Sequence, residues 1–323
     1  MRYREFGRTR WKVSELGYGM WGMAGWSGSN DKQSLESLQL AVDSGCNFFD
    51  TAWAYGDGHS ERLLAQLLRD NRGRKLYAAT KVPPKNRIWP TERGFLLDDV
   101  FPPEYIREYC ERSLENLGVG KIDLLQFHVW EDAWATDERW QRVVRDLKSE
   151  GLIDAAGVSI NRWEPWNAIA TLRTGLIDAV QVIYNIFDQS PEDELFPVCR
   201  ELDVGVIARV PFDEGSLTGT LRRDSRWPRG DYRATYFGAE NLGPTMDRVE
   251  ALQALLPSDM PLAELALRFI LSSDDVDVVI PGMRQPRNVR ANVAAANAGP
   301  LSANLLAELR AHRWDRAPAP WSA

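Results

Sequence analysis

Residues Phe48 to Leu64 read "FFDTAWAYGDGHSERLL": two phenylalanines stop at Asp50, and Tyr55 follows inside a glycine-flanked turn. Two more strand-like runs stop on polar groups in the same way, "KLYAATK" at Lys81 and "IDLLQFH" at His128. A phenol titrates near 10 in water and is a poor proton donor at neutral pH, but a cation within about 4–6 Å lowers such a pKa by roughly 1–3 units. Lys81 can supply that cation. A buried lysine tends to lose its charge, and Asp50 beside it would keep it protonated and fix its position. His128 can then orient a carbonyl oxygen while Tyr55 moves the proton. Taken singly, these residues have plain structural explanations: a loop cap, a solvated lysine tip, a packed tyrosine, a hydrogen-bonded core histidine. Their joint placement at three successive strand ends favours chemistry.

What must position them is a chain that alternates short strand-like runs with longer segments of helical period, the pattern of βα units around a parallel sheet. About eight units can be counted, as in an eight-stranded barrel. A glycine-rich first strand lies near Leu16 to Met20; Asp31 is expected to N-cap the helix "DKQSLESLQLAVDSG", which Gly45 ends. Strands two to four are "CNFFD", "KLYAATK" and "IDLLQFH"; strands five to eight are "IDAAGVSI", "IDAVQVIYN", "VGVIARV" and "VDVVIPG". No Pro- or Ser-rich linker divides the chain, so residues 1–323 read as a single domain, an α/β fold of the (β/α)8 TIM barrel type with long strand-end loops. Three connections, Val82 to Pro103, Val129 to Thr136 and Ser216 to Pro244, exceed the usual length of about 2–6 residues. Each follows the C-terminal end of a strand, where such a barrel carries its active site.

Composition narrows the function. A net charge of -7 and a pI near 5.2 argue against a nucleic-acid binder, while leaving room for one local basic pocket that holds a phosphate. Cys46, Cys110 and Cys199 are scattered and form no metal-type pair, so no metal is expected, and "MRYREFGRTRW" has no apolar leader core; the chain reads as cytoplasmic and reduced. No stretch approaches the roughly 20 apolar residues that a membrane helix needs.

Beyond the strand ends, the chain resembles the aldo-keto reductase superfamily over nearly its full length. The pieces that carry the resemblance are "FFDTAWAYGDGHSERLL", "AATKV", "LLQFHVW", "GVSINRW", "AVQVIYN", "GSLTGT" and "IPGMRQPRNVRANV", in the family's order. The resemblance implies a (β/α)8 barrel that uses NADPH/NADP+, with a catalytic tetrad of Asp50, Tyr55, Lys81 and His128. It implies hydride transfer to an aldehyde, ketone or sugar carbonyl, or the reverse, with Tyr55 as general acid or base. It places cofactor contacts at Gly19, Met20 and Trp21, at Asp50, at Ser159 and Asn161, and at Gln181. The loop after strand seven contributes Arg209, Pro211, Gly215 and Leu217, and the segment after strand eight Gly282, Arg284, Asn288 and Asn292. A phosphate at a helix N-terminus beside an arginine is a recurrent arrangement on such barrels. Two departures stand out: Arg209 occupies a position where many relatives stack an aromatic ring on the nicotinamide, and "GVSINRW" carries an extra apolar residue between Ser159 and Asn161.

Tryptophans gather near the expected rim: Trp21, Trp26, Trp53, Trp89, Trp130 and Trp134. Trp53 and Trp130 adjoin tetrad positions and are the candidates for substrate contact. Two other readings compete: a regulatory or redox-sensing subunit that keeps the fold and cofactor, and a hydrolase using Asp50 and Glu61 as paired carboxylates. The latter gives Lys81 no role.

Overall fold

The chain opens with a β-hairpin that sequence reasoning missed, β1 (Tyr3–Phe6) paired antiparallel with β2 (Trp11–Ser14). Eight parallel strands follow: β3 (Tyr18–Gly19), β4 (Phe48–Asp50), β5 (Tyr77–Val82), β6 (Ile122–Phe127), β7 (Ile153–Ser159), β8 (Ala179–Ile183), β9 (Gly205–Arg209) and β10 (Val278–Val279). They pair in chain order. The backbone N–H groups of Gly17 and Gly19 donate to the carbonyls of Val279 (2.8 Å) and Pro281 (3.0 Å), which closes the first strand onto the eighth. The computed structural model describes residues 1–25, 28–316 and 318; Trp26 and most of the tail "RAPAPWSA" lie outside the described residues.

Closure buries both faces of every strand, which is why the strands read as near-continuous apolar runs. The inner face is filled at the N-terminal end by Phe48, Tyr77, Ala79, Leu124, Ala155, Ala179, Ile207 and Val278, all buried. The hairpin plugs this end with Phe6. Gly205 makes room for the plug, since a Cβ there would lie 2.8 Å from the Phe6 ring. Aspartates at strand starts cap the barrel floor: Asp123, Asp178 and Asp277 accept from the N–H groups of Ala78, Ala156 and Val206 at 2.9, 2.9 and 2.8 Å. These are backbone donors that would otherwise be lost at the sheet's lower edge.

The outer layer comprises α1 (Asp31–Asp43), α2 (His59–Asp70), α3 (Leu97–Val100), α4 (Pro103–Leu117), α5 (Glu138–Ser149), α6 (Ile169–Arg173), α7 (Leu195–Leu202), α8 (Tyr232–Tyr236), α9 (Leu242–Gln253), α10 (Leu262–Leu271), α11 (Pro286–Asn297) and α12 (Ala303–Arg310). The cap of α1 is Asn30, not Asp31: Asn30 Oδ1 accepts from Gln33 N at 3.1 Å, and Asp31 is instead the first helical residue, where its charge suits the helix dipole. The three long connections leave the C-terminal strand ends, as expected, and the longest contains α8.

A buried ion cluster ties these upper loops together. Arg316, near the chain's end, donates to Asp188 after β8, to Asp213 after β9 and to Tyr236 of α8, at 2.8, 2.8 and 2.9 Å. Arg162, after β7, donates to the same Tyr236 hydroxyl at 2.6 Å, and that hydroxyl donates in turn to Asp213 at 2.9 Å. Burial acts to raise the Asp213 carboxyl, yet Arg316 and Arg162 outweigh it and hold the group at about 2. A depressed carboxyl pKa stabilises the fold above the unfolded carboxylate range and stops doing so as pH falls through the folded value. Asp213→Asn removes the buried carboxylate shared by two guanidiniums, leaving Asp188 and Glu214 to balance them, and it is expected to cost up to about 3–5 kcal/mol at pH 7. Urea unfolding of both proteins checks this, and the gap between them should shrink as the pH falls from near 4 towards 2.

Candidate active site

Side chains alternate across a strand, so the residue two beyond each floor position faces the same interior. Stepping up from the apolar layer meets Asp50 above Phe48, Lys81 above Ala79, Gln126 above Leu124, Gln181 above Ala179 and Arg209 above Ile207. A polar layer thus lies directly on an apolar one. Gly157, above Ala155, leaves the gap into which Gln126 folds, because a Cβ there would lie 2.9 Å from Gln126 Cγ.

Within this layer Lys81 Nζ donates to Asp50 Oδ2 at 2.5 Å and to the Thr51 carbonyl at 2.7 Å. The other carboxylate oxygen, Asp50 Oδ1, accepts from Gln126 Nε2 at 3.0 Å and Gln181 Nε2 at 2.8 Å. Both charges are almost fully buried, 1% and 3% exposed at the side chain, and survive only because they face each other and are hydrogen-bonded. Tyr55 lies above them, with Lys81 Nζ 5.4 Å from its ring centroid. His128 packs edge-on to Tyr55 at 5.6 Å. The four residues singled out at the strand ends therefore meet at one place.

Their electrostatics differ from the sequence expectation in one respect. The Tyr55 phenol is not brought down: burial first, and then the Asp50 charge, push it up, against the Arg209 charge, which lowers it. Burial pushes Lys81 down against the pull of Asp50, and it pushes His128 well below the ordinary histidine range, helped by Lys81 and Arg209. Tyr55 is accordingly a protonated phenol and His128 a neutral imidazole.

A cavity of about 1030 Å³ opens above the layer. Asp50, Tyr55 and His128 line it, while Lys81 is sealed behind Asp50. Gly19, Met20 and Trp21 line one side, Ser159 and Asn161 another, with Gln181, Arg209, Pro211 and Gly215 beyond them, and Gly282, Arg284 and Asn288 complete the wall. Two of these side chains are committed elsewhere: the Gln181 amide to Asp50, and Asn161 Oδ1 to the N–H groups of Trp163 (3.0 Å) and Glu164 (2.8 Å). Leu217 and Asn292 are buried off the cavity.

Trp53 does not reach the cavity. It packs edge-on against Tyr109 at 4.8 Å beneath the Arg87 guanidinium, because its turn folds back towards α4. Trp130 does border the cavity, but as a core residue 1% exposed, its Nε1 donating to Thr171 at 2.8 Å. The exposed aromatic at the tetrad is Trp89, edge-on to His128 at 5.8 Å. Across the mouth, Tyr232 of α8 meets Trp21 edge-on at 5.2 Å, so the strand-seven insertion straps the cavity from one rim to the other. Glu61 lies outside, accepting from Thr80 and Asn116, which removes the paired-carboxylate hydrolase. Gln126 and Arg162 escaped sequence reasoning, and Trp89 was placed at the rim without being singled out for substrate contact; counting in twos from the apolar floor would have found the first.

Residues 15–313 match the model of the aldo/keto reductase family. The NADH-specific methylglyoxal reductase of Escherichia coli (strain K12) is 31% identical over 315 residues, spanning 92% of this chain and 94% of that protein. An aldo-keto reductase from Bacillus halodurans in its holo form superposes with a TM-score of 0.78 at 28% identity, covering 100% of both chains. The glycerol dehydrogenase of Gluconobacter oxydans gives 0.79 at 26% identity, with 98% of each chain covered. With that match running from the first barrel strand to past the last helix, the chain belongs to the aldo/keto reductase family, oxidoreductases that act on small-molecule carbonyl compounds with a nicotinamide cofactor.

Proposed function

We propose that this protein is an NADPH-dependent reductase of aldehydes, ketones or sugar carbonyls, with Tyr55 as the proton donor. The observation that carries the reading is the polar layer: an ion pair sealed under a phenol and a neutral imidazole, all facing one cavity. Two buried polar atoms at this end of the barrel, His128 Nδ1 and Arg209 Nε, have no protein partner, and the cavity is at the upper end of the about 300–1,000 Å³ typical of small-molecule sites. The cofactor supplies the hydride; the chain supplies orientation, charge and the proton. Gly19, Met20, Trp21, Ser159, Asn161, Pro211 and Gly215 would border it as cavity wall.

Negative charge develops on the carbonyl oxygen as the hydride arrives, and Tyr55 and His128 are the donors available to it. The raised pKa of Tyr55 keeps the proton on the phenol until that charge appears. Asp50, Lys81 and the two glutamines act from below by holding the phenol's underside fixed. Trp89, rather than Trp53, is the aromatic positioned to meet a substrate beside His128, with Trp130 as the rigid backing. The strap from Trp21 to Tyr232 would exclude water.

NADPH rather than NADH is proposed because Arg284 stands on the cavity wall just ahead of the N-terminus of α11, steadied by a 3.3 Å bond from its Nη1 to the Gly22 carbonyl. Asn288 lies one turn into the same helix. A guanidinium fork beside free backbone N–H groups suits a phosphate dianion. The Escherichia coli relative is NADH-specific, so this point calls for direct measurement.

Screening aldehydes, ketoses and sugar lactols while following NADPH oxidation tests the function; a folded protein that turns over none of them overturns it. Tyr55→Phe is expected to lower turnover by about 10²–10⁴-fold with NADPH affinity nearly unchanged, since general acid catalysis acts only in the transition state. Steady-state kinetics with a cofactor titration checks both halves. Arg284→Ala is expected to weaken NADPH binding about tenfold or more, the worth of a charge-assisted hydrogen bond, while NADH binding stays nearly constant. Equal weakening of the two would make Arg284 structural, and no weakening would move the phosphate to Arg287 or Arg290.

A further inference from the structure

Arg209 is the odd member of the polar layer. It ends β9 on the inner face, lines the cavity, and donates from Nη2 to the Ile160 carbonyl at 3.0 Å, while its buried Nε has no partner. Among the described residues no carboxylate pairs with it. The acids around it are committed: Asp50 to Lys81 and two glutamines, Glu214 to Arg162 at 3.4 Å and the Tyr232 hydroxyl at 3.0 Å, Asp213 and Asp188 to Arg316. A guanidinium does not shed its proton in a protein, so this charge stays on the cavity wall, with Glu214 and Asp50 acting on it only from a distance. Its field is felt at the reacting end, where it lowers Tyr55 and helps push down His128 and Lys81.

A hydride donor must stand about 3–3.5 Å from the carbonyl carbon whose oxygen meets Tyr55 and His128. The donor ring is thereby confined to the part of the cavity that Arg209 also borders. In the reduction, the carbonyl carbon gains one hydrogen and two electrons, its oxygen takes the Tyr55 proton, and the ring left behind passes from neutral to a single positive charge. We propose that Arg209 makes this site hold the neutral, reduced nicotinamide in preference to the cationic, oxidised one. The inference rests on the reductase reading given above. Two like charges a few ångströms apart in a site shielded from water repel strongly enough to change affinity about tenfold or more. The oxidised dinucleotide is then the form that leaves readily, to be exchanged for the reduced one.

Binding, not turnover, provides the test. NADPH and NADP+ are titrated separately into the wild type, Arg209→Met and Arg209→Lys, following quenching of the protein's tryptophan fluorescence. The wild type is expected to bind NADP+ about tenfold or more weakly than NADPH. In Arg209→Met that ratio should fall about tenfold, chiefly through tighter NADP+, and in Arg209→Lys it should persist. Equal affinities in the wild type overturn the inference and leave the reductase reading standing. So does a ratio that Arg209→Met leaves intact, or a variant that loses both dinucleotides equally, since either makes Arg209 a structural post. Should Arg209→Met not fold, Arg209→Gln, neutral and able to keep the bond to Ile160, serves the same comparison. A folded wild type that binds neither dinucleotide removes the reading together with the inference.

Discussion

The site depends on one interaction, the 2.5 Å contact between Lys81 and Asp50 at the top of the barrel interior. Removing two opposite charges from water costs more than an ordinary contact returns, unless the geometry is close and the remaining lone pairs are satisfied. The barrel meets both conditions. Register sets β4 beside β5, so that the two side chains point inward at adjacent strand ends, and Gln126 and Gln181 reach the second carboxylate oxygen from strands four and six. Gly157 between them is part of the same solution, because any side chain there would occupy the space of Gln126. The pair is therefore a platform held by five strands, and the phenol and imidazole above it inherit that rigidity.

A second set of charges does the corresponding work over the strand ends. Arg162, Arg316, Asp188 and Asp213 come from four separate loops and meet around the Tyr236 hydroxyl. Long loops are ordinarily the least constrained part of a barrel. Here the ion cluster fastens the root of the strand-seven insertion and leaves its far end, Tyr232, to meet Trp21 across the mouth. A strap fixed at one end and meeting the opposite rim through an aromatic contact is suited to admitting a long ligand and closing over it.

How much of this was legible in the sequence follows from the range of each interaction. The eight strands, the helices between them and the convergence of Asp50, Tyr55, Lys81 and His128 follow from local periodicity and from the rule that parallel barrel strands end together. The hairpin plug was not legible, since its meaning lies in Phe6 meeting Gly205 at the far end of the chain. Trp53 was misjudged for a related reason: adjacency to Asp50 in sequence says nothing about which way a turn folds, and this one turns its indole onto Tyr109. Gln181 lines the cavity as expected, and sequence does not show that its amide nitrogen is also held by Asp50. The ion cluster joins residues from Arg162 to Arg316, a separation that no local pattern encodes.

The balance of charge explains how an acidic protein can suit an anionic cofactor. At a net charge of -7 the long-range field opposes a dinucleotide. Salt limits that field to about 8 Å at physiological ionic strength, so capture is decided by the cations that line the cavity. These fall into two kinds. Arg162 and Arg233 are matched by carboxylates and serve the fold, whereas Arg284 and Arg209 face the cavity without a carboxylate partner among the described residues. Uncompensated charge in a protein interior is costly, and a fold that retains it does so where a ligand completes the balance. On that argument the proposed cofactor would complete the balance at both arginines, its phosphate end at Arg284 and the changing charge of its ring at Arg209.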